Sequence, residues 1–377
     1  MFGIAYKFIR YDKAKSFGII TAIVISIFLI GQQMSLLFYL MGLMGNLVGN
    51  APVQDNELWI IEGQSQNINS VNAIDQRLVQ QIASLPGIAR THPVVLAPAQ
   101  ATFLDGKTAA VTLVGAEQPG FVMGPTPDKI MAGDIAALAQ PYAVSAEFYS
   151  AKTWDTELAL GKPIEINGTS TTITLITRNA QAFGASIMYT SLENARILGN
   201  ASPAKVSLII AELTPGANKK QLINDINQLY PQLRAWDAKA IQQSTVKEIL
   251  ITSNMGMSFG TLVLFAMISG FFIIGLTLYS SALDRIKDYG TLKAIGAKKS
   301  YVNRLIVAQA FLYAVIGYTI AMLLLIAFKF GVVKSGLVIE ITISFALFLL
   351  LVTLLISIGG SLFAVRKIAR LEPASVF

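Results

Sequence analysis

Long apolar runs flank one long mixed segment in this chain. Four runs contain no Asp, Glu, Lys or Arg, and each exceeds the roughly 20 residues that a membrane-spanning helix needs. We predict transmembrane helices in these four runs, at residues 17–48, 258–283, 305–328 and 341–365. The first run is far longer than the apolar core of a secretory signal, which is about 7–15 residues. We therefore interpret it as an uncleaved anchor.

The segment at residues 51–250, between the first two runs, has a different pattern. Short runs of alternating or β-branched residues, bounded by Gly, Pro, Asn and Asp, predict strands. These runs lie at residues 57–63, 94–104, 109–117, 163–167, 171–179 and 206–213. Helical patterns begin at Val71, Ser191 and Gly216. This mixed order predicts a large α+β domain, in one or two subdomains, inserted between transmembrane helices 1 and 2.

Residues 237–257 have helical periodicity and lead into the second apolar run without a proline. We predict a continuous helix here that joins the inserted domain to the membrane. A stiff helix transmits displacement, whereas a Gly/Ser-rich linker would absorb it. The alternative is an ordinary linker helix without a mechanical role.

The distribution of basic residues predicts the orientation. The chain is 54% hydrophobic and 14% charged, against about 25% charged in a typical soluble protein. Residues 1–16 contain four Lys/Arg, the loop at 284–304 contains six, and the tail at 366–377 contains three. Because cytoplasmic flanks are enriched in Lys and Arg, we expect both termini and this loop in the cytoplasm of a bacterium. Residues 51–250 and the short loop at 329–340 then lie outside the inner membrane, in the periplasm.

Several classes of chemistry are disfavoured. Residues 51–250 carry 14 Lys/Arg and 17 Asp/Glu, a mildly acidic balance that argues against a nucleic-acid partner. The chain has no cysteine, and its one histidine, His92, precedes a proline. We interpret His92 as a structural loop residue, because one histidine without cysteines cannot build a typical zinc site. Neither a P-loop nor a G-x-S-x-G motif occurs. We predict no catalytic, cofactor-binding or metal-binding residue and no enzymatic activity.

The loop between the second and third apolar runs has a pattern of its own. Apolar residues recur every three positions, at Ile286, Tyr289, Leu292 and Ile295, and Gly296 follows. This spacing predicts a short helix with an apolar stripe, ended by the glycine. Such a helix can lie on the membrane surface and offer its stripe to a groove on another protein. The alternative is a basic topology anchor that binds no partner.

The order of one span, a domain of about 200 residues and three further spans resembles the permeases of the MacB/FtsX-like ABC transporter family. Within it, the DevC-like permeases, whose ATPase is a separate chain, are most similar. The family has an Arg, an acidic residue and a Gly, followed by a Leu-(Lys/Arg)-Ala-(Ile/Leu)-Gly-Ala run. The matching residues here are Arg285, Asp288, Gly290, Leu292, Lys293, Ala294, Ile295, Gly296 and Ala297. The sequence departs from the family pattern at one point, where Asp288-Tyr289-Gly290 replaces the common Glu-Ile-Gly triplet.

The resemblance implies two copies of this permease with two copies of a cytoplasmic ATPase that binds ATP, so the chain itself needs no cofactor. The matched residues, together with Ile286 and Tyr289, would form the ATPase-coupling helix. Further partners would be membrane lipid, a periplasmic membrane-fusion adaptor and an outer-membrane duct. The implied function is export of a lipid, lipoprotein, peptide or small toxic molecule, driven by movements of the periplasmic domain. The alternative is an FtsX-like regulator that activates a periplasmic cell-wall hydrolase and transports nothing.

Overall fold

The computed structural model divides the chain into two compact units. The membrane unit consists of Met1–Phe38, Gly256–Val332 and Ile339–Phe377, and the inserted domain consists of Tyr39–Met255 and Val333–Val338. The structure describes all residues except a few isolated positions and the C-terminal end. The described ranges are 2–11, 13–52, 55–118, 120–153, 156–184, 186–284, 286–295, 297–333 and 335–369.

Six helices lie outside the sheet region. They are α1 (Phe2–Tyr11), α2 (Lys13–Gly49), α8 (Met255–Asp284), α9 (Ile286–Ala294), α10 (Lys299–Val333) and α11 (Ile343–Ala369). Four of them, α2, α8, α10 and α11, are long and apolar enough to cross a membrane. The predicted class, four membrane helices with a domain between the first and the second, is therefore confirmed. The amphipathic helix α1 was not predicted.

The core of the membrane unit is built on one stripe of α2. Ile19, Ile23, Ile27 and Ile30 are fully buried and follow the spacing that places residues on one helix face. They pack with buried apolar residues of α8, α10 and α11. Large apolar side chains such as Phe265 on α8 are exposed instead, as expected for a surface that lipid covers.

Two glycines bring α8 and α11 into backbone contact. A Cβ on Gly360 of α11 would lie 3.0 Å from the backbone nitrogen of Gly275 and 3.1 Å from its Cα. Small residues at such crossings let membrane helices pack closely, because lipid supplies no hydrophobic driving force between them. The polypeptide backbones therefore set the distance between α8 and α11 at this point.

The inserted domain contains twelve strands in the part of the chain that the structure describes. They are β1 (Glu57–Glu62), β2 (Ile74–Asp75), β3 (Ile88–Thr102), β4 (Thr108–Ala116), β5 (Ile130–Gly133), β6 (Ala143–Glu147), β7 (Pro163–Ile166), β8 (Thr169–Thr177), β9 (Ser186–Ser191), β10 (Lys205–Val206), β11 (Leu208–Leu213) and β12 (Leu233–Trp236). Its helices are α3 (Arg77–Ala83), α4 (Phe148–Thr153), α5 (Leu192–Leu198), α6 (Lys219–Leu229) and α7 (Ala238–Thr252).

Ten of these strands form one mixed sheet, and β2 pairs with β10 separately. The main path through the sheet is β12-β1-β11-β3-β7-β8-β5, with β4 joining β3 to β9 and β6 beside β8. The pairs β4–β9 and β6–β8 are parallel and the other pairs are antiparallel. The predicted α+β character is therefore realised as one sheet with helices packed on it.

The long strand β3 joins two halves of this sheet. Its residues up to Val94 pair with β11, and from Val94 onward they pair with β4. On one half, apolar residues of β1 and β11 pack against α3 and α6. On the other, residues of β4, β7, β8 and β9 pack with α5. A third core contains residues of both halves, such as Trp59 of β1, Val114 of β4 and Leu175 of β8, and the inserted domain is one compact unit on one continuous sheet.

The interpretation of His92 as a loop residue is wrong. His92 lies in β3, where it is buried, and its Nε2 is 2.9 Å from Glu212 Oε1 on the paired strand β11. The following residue, Pro93, lacks a backbone N–H, but it lies where β3 pairs with β11 alone, just before pairing with β4 begins. A proline is tolerated in a strand where no ladder bond requires its nitrogen.

The continuous helix predicted for residues 237–257 is also wrong, because the chain breaks between α7 and α8. Ser253 ends α7, and Asn254 has a φ of +54°. Asparagine tolerates this left-handed conformation better than most residues, because its short side chain bonds locally. The Ser253–Asn254 pair therefore ends α7, although no proline marks this position in the sequence.

Candidate functional site

The helix α9 lies between two helices of the membrane unit. Residue 285 alone separates it from α8, and Thr291 Oγ1 donates a hydrogen bond to the Lys287 carbonyl at 2.9 Å. The helical pattern continues one residue beyond α9, since Ile295 N–H donates to Thr291 O at 3.1 Å. The next helix begins after Lys298, whose carbonyl accepts a hydrogen bond from Tyr301 N–H at 2.8 Å.

The structure brings most of the predicted coupling residues onto this helix. Seven of them lie within α9: Ile286, Asp288, Tyr289, Gly290, Leu292, Lys293 and Ala294. Ile295 lies in the turn that follows, and Ala297 lies between α9 and α10. Arg285 and Gly296 lie outside the described residues, so the predicted role of Gly296 as a helix stop stays a prediction.

The described side chains of α9 differ in their exposure to solvent. Gly290 is buried, Ile286 is half-buried, and Lys287 and Asp288 are exposed. Ile295, at the end of the helix, is 77% exposed. An exposed isoleucine at the end of the helix offers a small apolar contact point.

Two contacts hold the start of α2 near the end of α8 and against α10. Lys15 pairs with Asp284, the last residue of α8. Because both side chains are largely exposed, this ion pair contributes little stability. Ser16 is buried, and its Oγ lies 2.8 Å from the Tyr313 hydroxyl on α10. The same hydroxyl group of Ser16 is 2.8 Å from the carbonyl of Ile9 on α1.

The other end of α2 is held within the inserted domain. Asn50 Nδ2 donates to the Ala180 carbonyl at 2.9 Å, and Asn46 Nδ2 donates to the Gln181 carbonyl at 2.9 Å. Lys129 Nζ donates to the Gly49 carbonyl at 3.0 Å and to Asn50 Oδ1 at 2.7 Å. A cation at a helix C-terminus is favourable, because the last carbonyls carry partial negative charge. Burial lowers the pKa of the Lys129 ammonium.

Helix α7 packs against the same end of α2. Gln242 Nε2 donates to the Gly45 carbonyl at 3.2 Å. A Cβ on Gly45 would lie 2.8 Å from Cγ of Gln242, so this contact depends on glycine. Thr245 of α7 is fully buried, and its Oγ1 accepts a hydrogen bond from Ile68 N–H at 3.0 Å. These bonds join α2 and α7 to the rest of the inserted domain.

One buried carboxyl group lies elsewhere in the same domain. Glu147 is fully buried at the end of β6, and its Oε2 accepts a hydrogen bond from Ser150 N–H at 2.7 Å. Its Oε1 has no hydrogen-bond partner among the described residues. Burial raises the pKa of this carboxyl group. Its position at the start of the short helix α4 identifies it as a structural residue, because a side chain there accepts from free backbone N–H groups.

The described residues contain no cluster of three or more His, Cys, Asp or Glu side chains that could hold a metal ion. The contacts at the end of α2 were missed by the sequence reasoning. A signal was present, since Tyr39, Asn46 and Asn50 interrupt the final turns of an otherwise apolar run. Polar residues there indicate contact with protein instead of lipid.

These features define a multi-pass membrane protein with an α/β sheet domain between its first and second membrane helices. Residues 240–373, from α7 through α11, match the family model described as FtsX-like permease C-terminal. This match covers less than half of the chain, and it supports the resemblance to the MacB/FtsX-like ABC permeases that the sequence indicated. Proteins of this family are the transmembrane component of ABC transporters and generally have no catalytic activity of their own. Similarity to this family therefore implies a partner ATPase.

Three solved structures are similar to about half of the chain. The periplasmic region of MacB from Actinobacillus actinomycetemcomitans is 14% identical over 50% of this chain and 92% of that chain, with a TM-score of 0.38. The extracellular domain of the noncanonic ABC-type transporter YknZ from Gram-positive bacteria is 11% identical over 48% and 100%, with a TM-score of 0.36. A domain of a putative permease protein from Porphyromonas gingivalis is 15% identical over 49% and 90%, with a TM-score of 0.33. No curated protein matches the chain.

Proposed function

We propose that this permease couples ATP hydrolysis by a separate cytoplasmic ATPase to movements of its inserted domain, and that these movements drive export across the cell envelope. Two copies of the chain would assemble with two copies of the ATPase. The cargo class is a lipid, lipoprotein, peptide or small toxic molecule. A periplasmic adaptor and an outer-membrane duct would complete the export path.

The observation that carries this proposal is the placement of α9. It is a short helix connected almost directly to α8 and α10, and it contains seven of the predicted coupling residues, five of which match the family's motif. Its exposed Ile295 supplies an apolar contact at the end of the helix, and Lys287 and Asp288 supply exposed charges in its first turn. A groove on the ATPase that accepts this helix would pass its movement to both attached membrane helices.

Helix α2 supports delivery of the movement to the inserted domain. It runs from Lys13 to Gly49 as one helix, and its last residues are hydrogen-bonded within that domain. Helices α7 and α8, in contrast, are separated at Ser253 and Asn254. We therefore assign the role of stiff transmitter to α2, a role that the sequence pattern had suggested for residues 237–257. The positive flanks of α9 support its cytoplasmic orientation.

Substitution of Ile295 tests the coupling role. The Ile295→Asp variant should lose at least ten-fold of the ATPase that co-purifies with the full-length chain in detergent, measured as ATP hydrolysis in the eluate. A buried charge without a partner at an interface costs several kcal/mol. Ile251→Asp is the matched control, because Ile251 is 61% exposed on α7 and should leave co-purification unchanged.

The same two positions test the orientation in a chain without native cysteines. In intact spheroplasts, Ile251→Cys should react with an impermeant thiol reagent and Ile295→Cys should be protected. Unchanged ATPase recovery with Ile295→Asp, or the inverse labelling pattern, would contradict the proposal. Proteins that co-purify with the permease from cross-linked cells then show which process it drives. An adaptor and a duct support export, whereas a cell-wall hydrolase supports the FtsX-like regulatory alternative.

A further inference from the structure

The short loop between α10 and α11 belongs to the inserted domain. Residues Val333–Val338 cluster with Tyr39–Met255, although the helices on either side of the loop belong to the membrane unit. The loop contains a turn in which Gly336 N–H donates to the Val333 carbonyl at 3.1 Å. Gly336 is buried and has a φ of +82°, a conformation that glycine adopts without strain.

One hydroxyl group joins this loop to the rest of the inserted domain. The Tyr39 hydroxyl lies 3.3 Å from the Gly336 carbonyl oxygen and 3.1 Å from Gln181 Oε1. Because a tyrosine hydroxyl has one proton, it can donate to either of these two oxygens. Three segments that are distant in sequence meet at this atom.

The segment around Gln181 is fixed independently of Tyr39. Its backbone carbonyl accepts from Asn46 Nδ2 at 2.9 Å, and Phe183 N–H donates to the Leu43 carbonyl at 3.0 Å. Tyr39 lies one turn before Leu43 on the same helix. Other hydrogen bonds therefore hold the end of α2 against the Gln181 segment. They give the Tyr39 hydroxyl group a fixed position from which it can bond to the loop.

We propose that Tyr39 is a positioning residue that fastens the α10–α11 loop to the inserted domain. It gives the α10–α11 hairpin its own connection to that domain, in addition to the covalent connections through α2 and α7. Movement of the hairpin is then passed to the inserted domain through this hydroxyl group. The contact between Tyr39 and the loop is inferred from the distances given above. Its role in transmitting movement rests on the proposed function.

Hydrogen exchange on the full-length protein tests the contact. In Tyr39→Phe, which removes only the hydroxyl group, the loop should open more easily, and amide exchange at Gly336, whose N–H donates to the Val333 carbonyl, should accelerate about five-fold, the effect of losing one hydrogen bond of typical net strength. Tyr142→Phe is the matched control, because the Tyr142 side chain is exposed in the same domain. Its exchange at residues 335–341 should equal that of the wild type. Equal exchange in both variants would overturn the contact.

A second measurement tests the transmission. When ATP is added to the purified permease–ATPase complex, exchange in residues 180–183 should change in the wild type and in Tyr142→Phe. In Tyr39→Phe this change should be lost while ATPase association persists. An undiminished ATP response in Tyr39→Phe would overturn the transmission role even if exchange at Gly336 had risen. If instead Ile295→Asp showed that no ATPase couples through α9, the proposed function would fall while the exchange result at Gly336 still decided the contact.

Discussion

The glycine contact between α8 and α11 leads to a quantitative prediction. Gly360→Ala places a Cβ 3.0 Å from Gly275 N and 3.2 Å from the Phe271 carbonyl oxygen. These are backbone atoms, so the helices must separate. Overpacking of this kind costs about 1–3 kcal/mol, whereas alanine gains about 1 kcal/mol over glycine in helix propensity. We expect a net loss of about 1 kcal/mol in the free energy of unfolding.

Gly260→Ala on α8 is the matched control. A Cβ at Gly260 has no heavy atom within 4 Å, so only the propensity gain of about 1 kcal/mol remains. The two variants should differ by about 2 kcal/mol, or roughly 4–8 °C in Tm at about 2–4 °C per kcal/mol. Thermal unfolding of the full-length protein in detergent, followed by far-ultraviolet circular dichroism, measures this difference. A Gly360→Ala protein that melts at or above the Gly260→Ala protein would refute the reasoning.

Two further predictions concern the inserted domain. Because burial raises the folded-state pKa of Glu147, its stabilising contribution is present below the unfolded value of 4.5 and is lost as pH rises through the folded value. Urea midpoints should therefore fall less between pH 4.5 and pH 7 for Glu147→Gln than for the wild type, and parallel profiles would contradict this. Tyr189, the neighbouring titratable group, stays neutral in that range since burial raises its pKa. Asn254→Val should be less stable than Asn254→Gly by about 1–2 kcal/mol, because both variants lack the amide side chain and only the β-branched residue is strained at positive φ. Equal stability of the Val and Gly variants would show that the conformation at Asn254 is not the constraint.

Sequence patterns predicted the elements that depend on local chemistry. The membrane helices follow from charge-free runs, and the α9 region follows from a three-residue apolar spacing with a family motif. The positions of short strands such as β5 and β6 were not predicted, because four or five residues carry little periodicity. Their pairing with β8 is decided by tertiary contacts.

The errors have a common physical cause. Pro93 indicated a loop at His92, yet a proline fits a strand position where one side is unpaired. The Ser253–Asn254 break has no proline, and asparagine adopts the left-handed conformation only where its surroundings favour it. Tyr39 is of the same kind, since its two partners, Gln181 and Gly336, come from segments far apart in the chain. Each case depends on neighbours in space, which a single sequence does not specify.

The last turns of helix α2 carry a length constraint within the inserted domain. Tyr39, Asn46 and Asn50 all bond to Ala180 or Gln181, and their spacing in the sequence places them on one helix face. One residue inserted between Tyr39 and Asn46 would rotate Tyr39 against the two asparagines by about 100°. The three side chains could then no longer reach the same segment, so the length of this part of α2 can change only in steps of nearly whole turns.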